Sequence, residues 1–200
     1  MIYTLTELAA KYKTDKGIID TSDNQNMPVH DYTVFYDKIF FSVRNKNLNV
    51  LDIGGWGANN GGSSRMFKEY FNKSIIFSID LNSDVKNLEN EGIITLSLDL
   101  DNEPLLKQKL KNWNVKFDIV VEDASHWPKQ QIRTLIHFLP YLNQNSIYII
   151  EDIPHNIESI EDYFFQFLSN EEISLFKNFI LENYIIQTNQ LSKLVYFKIR

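Results

Sequence analysis

From residue 49 onward the chain alternates between short apolar runs and longer stretches whose apolar residues recur at helical spacing. The apolar runs are "NVLDI", "SIIFSID", "IITLSL", "FDIVVED" and "IYIIED". The helical stretches between them span roughly residues 63–71, 84–90, 104–111 and 129–139. Runs that are apolar on both faces are typical of parallel strands buried on both sides. Their strict alternation with helices predicts a doubly wound α/β sheet.

The segment before the first strand contains two predicted helices. Thr4 and Glu7 have the spacing of a capping box, so "LTELAAKYK" is predicted to be a short helix. The polar, turn-rich segment Thr14–Pro28 is predicted to be a loop. "DYTVFYDKIFFSVR" then predicts a second helix. Its apolar positions are Val34, Phe35, Ile39 and Val43.

The segment after the fifth strand predicts two helices and a hairpin. "ESIEDYFFQFL" and "EEISLFKNFIL" have helical spacing, with Asn170 as a candidate cap for the second helix. "NYIIQTNQ" and "KLVYFKIR" follow, separated by too few residues for a helical crossover, so they are expected to pair as an antiparallel hairpin. The sequence therefore predicts a mostly parallel seven-stranded sheet that ends in an antiparallel β-hairpin.

Composition narrows the classes of protein that fit this pattern. A chain of 200 residues, 44% of them hydrophobic, suits one domain with a full core. The formal net charge of −6 disfavours a nucleic-acid partner. There is no cysteine, which excludes disulfides and thiolate metal sites, and no apolar run has the length of a membrane span. A cytoplasmic protein is expected.

A glycine-rich loop, "VLDIGGWGANNGGSS", follows the first strand and precedes a helix. Ligands of open α/β sheets bind beyond the carboxyl ends of the strands, near the point where strand order reverses. The dinucleotide pattern G-x-G-x-x-G is not met, because Asn60 stands at the third glycine position counted from Gly55. The loop therefore does not predict a cradle for a pyrophosphate.

Two acids at strand ends favour an adenosine ligand instead. Asp80 ends the second strand, where a carboxylate can accept both hydroxyls of a ribose. Asp99 ends the third strand, in a position suited to an adenine ring. The competing interpretation is a tight turn flanked by solvated acids.

Acidic pairs end the fourth and fifth strands. If these strands are neighbours, their tips lie about 4.8 Å apart, and four carboxylates crowd together: Glu122, Asp123, Glu151 and Asp152. Unit charges about 4 Å apart repel by about 4 kcal/mol at an effective dielectric near 20. Such a group favours a hard cation, with magnesium first and manganese or calcium next. Because successive strand residues face opposite ways, we expect Asp123 and one or both of Glu151 and Asp152 to be ligands. The alternative is a pair of solvated strand ends.

His126 lies three residues after Asp123 and is a candidate general base, since its unperturbed pKa near 6.5 suits proton removal at neutral pH. His137 lies within a predicted helix, where a packed histidine is the expected role. His155 follows Pro154 in a loop, and either a place in the site or an exposed position is open.

Taken together, these motifs resemble class I S-adenosylmethionine (SAM)-dependent methyltransferases. Among these enzymes, the chain is similar to the magnesium-dependent sugar O-methyltransferases that tailor macrolide and aminocoumarin antibiotics and bacterial glycans. The resemblance rests on "LAAKYKTDKG", "HDYTVFYDKIF", "VLDIGGWGANNGGSSRMFKEYF", "FDIVVEDASH" and "YIIEDI", in that order. It implies a single methyltransferase domain, with residues 1–45 as an N-terminal helical lid and residues 46–200 as a SAM-binding α/β core.

The resemblance also implies roles for individual residues. SAM binding falls to Asp52, Gly54, Gly57, Ser63 and Asp80, with Asp99 as derived above. Mg²⁺ binding falls to Asp123, Glu151 and Asp152, and the base is His126, so that His126 and Asp123 form the catalytic group. The lid residues near cofactor or substrate are Lys16, His30 and Tyr32, for which capping and packing of two helices is the alternative.

The chain departs from the family pattern in several places. Glu122 and Ala124 replace an aspartate and a glycine, the cofactor loop is longer around residues 56–60, and "QNS" replaces a Gly-Gly before the fifth strand. Some relatives carry a further N-terminal domain, for which a chain of this length is expected to have no room.

The expected function is therefore magnesium-dependent transfer of a methyl group from SAM to a sugar hydroxyl. The acceptor would be a glycan or a small molecule with vicinal hydroxyls, and a homo-oligomer is possible. Three alternatives stay open: a Rossmann-type NAD oxidoreductase, a non-catalytic SAM-binding module, and a methyltransferase with a catechol-type acceptor.

Overall fold

A computed structural model describes residues 3–18, 30–57, 60–188 and 192–200. Residues 19–28 of the predicted N-terminal loop lie outside this part of the chain. The predicted capping box is confirmed, because Thr4 accepts from the backbone N–H of Glu7 while the Glu7 carboxylate accepts from the backbone N–H of Thr4.

Within the described residues, seven strands form one sheet, as predicted. They are β1 (Asn49–Ile53), β2 (Ile75–Asp80), β3 (Ile94–Ser97), β4 (Phe117–Glu122), β5 (Leu142–Pro154), β6 (Ile180–Gln187) and β7 (Ser192–Ile199). Their order is β3-β2-β1-β4-β5-β7-β6. The first five pair in parallel, whereas β7 is antiparallel to both β5 and β6.

Helices cover both faces of the sheet. They are α1 (Leu5–Tyr12), α2 (Tyr32–Phe40), α3 (Gly62–Tyr70), α4 (Glu103–Trp113), α5 (Pro128–Phe138), α6 (Ile160–Phe164) and α7 (Asn170–Phe179). The described part of the chain also contains 3-10 helices at Ser83–Glu91, Leu139–Tyr141 and Phe165–Phe167. One apolar cluster packs the helices from α4 through α7 against one face of the sheet. The other cluster packs α1, α2 and α3 against the opposite face. The N-terminal helices are therefore part of the core.

Several details of the helices differ from the sequence prediction. The stretch predicted at 84–90 is a 3-10 helix, and the helix predicted to run to Arg44 ends at Phe40. On α2, the predicted apolar position Val34 is 42% exposed, while Tyr32, Tyr36 and Phe40 are fully buried. Tyrosines can take these interior positions because their hydroxyl groups find buried acceptors. Asn170 is not the cap of α7: Ser169 is, since its side chain accepts from Glu172 N in a second capping box.

Strand order reverses between β1 and β4, and this is where a ligand cleft is expected in a doubly wound sheet. The chain winds outward from β1 to β3 and then returns to place β4 and β5 on the other side of β1. β3 ends at Ser97, so Asp99 lies two residues beyond the strand that it was predicted to end.

Gly54 allows the tips of β1 and β4 to approach each other closely. It has φ +85°, and a Cβ added there would lie 1.9 Å from the carbonyl oxygen of Asp123. Both the left-handed backbone and the contact require a residue without a side chain.

None of the helices in the described ranges has the length and apolar composition needed to cross a membrane.

We expect Gly54→Ala to destabilise the fold by about 2 kcal/mol more than Gly92→Ala does. Gly92 has a similar φ of +74°, but the nearest atom to an added Cβ is Lys68 Nζ at 3.4 Å, so only the backbone conformation is penalised there. Urea unfolding of both variants and the native protein measures the difference. Equal destabilisation would show that the contact with Asp123 is unimportant.

Candidate active site

A large cavity of about 740 Å³ opens at the carboxyl ends of the strands. Its size suits a ligand as large as a nucleoside derivative. Its walls come from the glycine loop after β1, the ends of β2 and β4, the segment after β3, and the N-terminal segment that precedes α2. Lys16, His30, Asp80, Asp99, His126 and Asp152 all line it.

Asp52 anchors the end of the glycine-rich segment through hydrogen bonds. Its Oδ2 accepts from the hydroxyl groups of Ser63, at 2.7 Å, and Ser64, at 2.5 Å, at the start of α3. Burial raises the pKa of Asp52, although Lys16 and the two serines partly offset the effect. Asp52 is therefore placed to fix the loop, while Gly54, Gly57 and Ser63 line the cavity.

Asp80 is fixed by two backbone donors. Its Oδ2 accepts from Trp56 N at 2.9 Å, and its Oδ1 accepts from Asn82 N at 2.8 Å. Each carboxylate oxygen has a further lone pair, so Asp80 can still accept hydroxyl groups from a ligand. Asp99 lines the same cavity and is exposed.

A β-bulge sets the directions of Glu151 and Asp152. Along β5, the pairing with β7 passes from Ile150 to Ile153 while β7 advances by two residues only. Asp152 has φ +56°, a left-handed conformation that Asp adopts more readily than most residues. Bulges next to active sites commonly redirect side chains, and here both consecutive carboxylates contact residues of the N-terminal segment.

Asp123, His126 and Asp152 form a compact group at the tips of β4 and β5. One ligand atom from each lies within 4.8 Å of the others. His126 Nε2 is 3.1 Å from Asp123 Oδ1 and 3.1 Å from Asp152 Oδ2. The two carboxylates suit a hard divalent cation such as Mg²⁺ or Mn²⁺, which prefers oxygen ligands, and the imidazole lies beside them as a candidate for proton transfer.

Lys16 supplies a buried positive charge next to this group. Its Nζ lies 2.5 Å from Asp123 Oδ2 and also donates to Glu151 Oε2, and its side chain is 2% exposed. Burial works against this charge, but Asp123 and Glu151 outweigh burial and raise the pKa of Lys16. Conversely, burial of Asp123 is outweighed by Lys16 and His126, which hold the pKa of Asp123 below its usual range.

The remaining lid residues also reach the carboxylates. Tyr32 donates its hydroxyl hydrogen to Asp152 Oδ1 at 2.6 Å. His30 stacks on the Tyr32 ring and places Nδ1 3.4 Å from the same oxygen. All three predicted lid residues thus contact the carboxylates at the strand tips.

Glu122 does not join this group. Its neighbours in register are Ile53 and Ile150, which belong to the apolar cluster beneath α5. Burial raises the pKa of Glu122 to about 8. Of the four carboxylates predicted to crowd together, three converge and Glu122 points into the core.

The other two histidines lie apart from the site. His137 is buried on α5 with Nε2 3.0 Å from Glu103 Oε2, as expected of a packed helix histidine. His155 is exposed.

Tyr36 contacts the acidic group as well, although the sequence analysis did not predict it as a site residue. It is fully buried and donates to Glu151 Oε1. Its spacing of four residues from Tyr32 would have placed both rings on one face of α2.

No protein-family model matches the chain, but solved structures share its fold. The MycE methyltransferase of the mycinamycin pathway, solved in complex with Mg, SAH and mycinamycin VI, superposes with a TM-score of 0.72 and 22% identity. The superposition covers 98% of this chain and 54% of MycE. The fold is that of the class I methyltransferases.

Sequence relatives are curated O-methyltransferases. Demethylmacrocin O-methyltransferase of Streptomyces fradiae is 33% identical over 157 residues, which is 74% of this chain and 36% of that protein. Mycinamicin VI 2''-O-methyltransferase of Micromonospora griseorubida is 29% identical over the same length, with the same coverage. The chain thus spans about a third of the length of these relatives. The predicted resemblance to sugar O-methyltransferases is confirmed.

We expect His126 and His137 to titrate on opposite sides of the usual histidine pKa in the metal-free protein. The hydrogen bond to Asp123 raises the pKa of His126, so its proton is retained to higher pH, whereas burial lowers the pKa of His137. NMR titration of the imidazole resonances measures both. Asp123→Asn should lower the pKa of His126 and leave that of His137 unchanged, and a common pKa for the two would contradict this geometry.

Proposed function

We propose that the chain is a SAM-dependent, magnesium-dependent O-methyltransferase that acts on a sugar hydroxyl of a glycan or glycosylated small molecule. The observation that carries the proposal is that one cavity is lined both by the glycine loop with Asp80, at the end of β2, and by the Asp123–His126–Asp152 group. The named activities of the sequence relatives support the same reaction class.

At the donor end of the cavity, the chain's own residues would hold the nucleoside. Asp80 is fixed by Trp56 N and Asn82 N, so its free lone pairs are preorganised for the ribose hydroxyls. Gly54 and Gly57 let the backbone approach the ligand, and Asp99 borders the space for the base. Positioning of this kind supplies much of the rate enhancement in group transfer.

At the acceptor end, Asp123 and Asp152 would hold the cation and His126 would take the proton of the hydroxyl. When bound there, such a cation would polarise the acceptor oxygens as a Lewis acid and would favour the neutral form of His126 by charge repulsion. Lys16 keeps Asp123 ionised, and Tyr32 and His30 orient Asp152. A vicinal diol would present two oxygens to such a site, and so would a catechol.

Glu151 differs in geometry from the other implied metal ligands. Its oxygens accept from Lys16 and Tyr36, and it lies outside the compact three-residue group. Both oxygens retain a lone pair, so a role as ligand is compatible with these contacts. A lid at residues 1–45, a homo-oligomer and a cytoplasmic location are further parts of the proposal.

We expect removal of divalent cations with EDTA to abolish methyl transfer to a glycosylated macrolide acceptor, and added Mg²⁺ to restore it. His126→Ala should lower kcat by at least about 10²-fold while Mg²⁺ and SAH affinities stay near those of the native protein. His155→Ala is the matched control, since His155 is exposed and does not line the cavity. Full activity in EDTA would exclude the metal role, and an unimpaired His126→Ala would exclude His126 as the base.

Thermal stabilisation by added ligand distinguishes a binding site for the methyl donor SAM from a binding site for NAD. A ligand that binds only the folded state raises Tm, so we expect SAH to raise Tm and NAD to leave it unchanged. Asp80→Asn should weaken SAH binding by roughly 10-fold through loss of one acceptor, whereas Asp84→Asn, at an exposed position on the same segment, should not. Stabilisation by NAD alone would favour the oxidoreductase. SAH binding without turnover on any diol or catechol would favour a non-catalytic module.

A further inference from the structure

Tyr36 lies beneath the carboxylates at the tip of β5 and has no place in the cavity wall. Its side chain is fully buried, and its hydroxyl group donates to Glu151 Oε1. The ring is held by Phe40 and Phe67, with centroids 5.3 Å and 6.3 Å away. Because the ring is packed on several sides, the direction of its hydroxyl group is fixed by the core.

Tyr32 and Tyr36 each donate a hydrogen bond to one carboxylate of the Glu-Asp pair of β5. The two tyrosines lie four residues apart, on one face of α2. Tyr36 donates to Glu151 and Tyr32 donates to Asp152, whose N–H in turn donates to the Tyr32 hydroxyl at 3.2 Å. Without the bulge in β5, consecutive carboxylates would face opposite sides of the sheet and one helix could not reach both.

Glu151 depends on Tyr36 for its orientation. One carboxylate oxygen accepts from Lys16 and the other from Tyr36, and the side chain is 1% exposed. Loss of the Tyr36 donor would leave one buried oxygen without its partner, and such an oxygen seeks another donor or the nearby charge of Lys16. Rotation of Glu151 would then move its carboxylate group and alter the ion pair between Lys16 and Asp123.

We propose that Tyr36 is a positioning residue of the metal site, which acts through its hydrogen bond to Glu151 to set the carboxylates that bind the divalent cation. The inference rests on the proposed function, because it assumes that the site takes a cation. Partners that orient metal-binding side chains typically change metal affinity by about 10- to 100-fold when they are removed. Tyr36 is not a catalytic residue, since it does not line the cavity where acceptor and donor would meet.

The test is calorimetric titration of Mg²⁺ into the full chain, without donor or acceptor. Tyr36→Phe removes only the hydroxyl group and keeps the ring packing, and we expect it to raise the Kd for Mg²⁺ by about 10- to 100-fold. The affinity for SAH, measured separately, should stay within about twofold of the native value, because substitutions usually act independently on sites with which they share no contact. The matched control is Tyr148→Phe: Tyr148 is also fully buried on β5, and its hydroxyl group has no hydrogen-bond partner within the described part of the chain.

A double-mutant cycle with Glu151→Gln tests whether Tyr36 acts through Glu151. If it does, Glu151→Gln and the double variant should bind Mg²⁺ with the same affinity. This comparison also stands if Tyr36→Phe alone fails to fold, because the amide in the double variant removes the unpaired buried carboxylate. A further loss of Mg²⁺ affinity in the double variant would overturn the proposal.

The other outcomes separate the inference from the function on which it rests. Native-like Mg²⁺ affinity in Tyr36→Phe overturns the role of Tyr36 and leaves the proposed function intact. Equal losses in Tyr36→Phe and Tyr148→Phe also overturn it, since they would indicate a general effect on the core. Absence of Mg²⁺ binding in the native protein overturns the metal-dependent function, and the inference falls with it.

Discussion

Mutual repulsion among closely spaced carboxylates is the constraint around which this molecule is arranged. Asp123, Glu151 and Asp152 meet at two adjacent strand tips, where Glu151 is buried and the side chains of Asp123 and Asp152 are only 20% and 14% exposed. An uncompensated buried charge costs several kcal/mol. One buried ammonium group and two phenolic hydroxyl groups donate hydrogen bonds to these carboxylates and offset their charge. All three groups come from the segment that precedes β1. The described helices of that segment, α1 and α2, contribute to the core, so these three donors come from elements that pack against the sheet or directly precede them.

The bulge in β5 determines which groups can share the site. A regular strand would divide an acidic pair between the two faces of the sheet, as happens on β4, where Glu122 enters the core and Asp123 faces the cavity. On β5 the bulge with the left-handed Asp152 lets both acids contact residues of the N-terminal segment, and Asp152 also lines the cavity. The same dipeptide thus has different consequences on neighbouring strands, and backbone conformation alone makes the difference.

The strands and the general place of the site could be predicted because they depend on local pattern. Double-sided apolar runs and a glycine loop determine the sheet and the cleft, and strand-end acids converge wherever parallel strands are neighbours. The bulge could not be predicted, since Asp in a strand carries no signal of a left-handed conformation. Of the apolar positions predicted for the second N-terminal helix, Val34 is exposed, whereas the others pack against the core. The full burial of Tyr32 and Tyr36 could not be predicted, because it depends on acceptors more than a hundred residues away along the chain. Similarly, Ser169 rather than Asn170 caps α7, a choice of one residue that only the backbone geometry decides.

The contact between Lys16 and Glu151 joins residues separated by 135 positions, and the contact between Lys16 and Asp123 joins residues separated by 107. Closing such long loops is entropically costly and is deferred until most of the native topology exists. During synthesis, the amino-terminal segment must wait for the fifth strand to emerge before its lysine meets both partners. The charge pairing at the site is therefore complete only when the N-terminal segment and the tips of both β4 and β5 are in place.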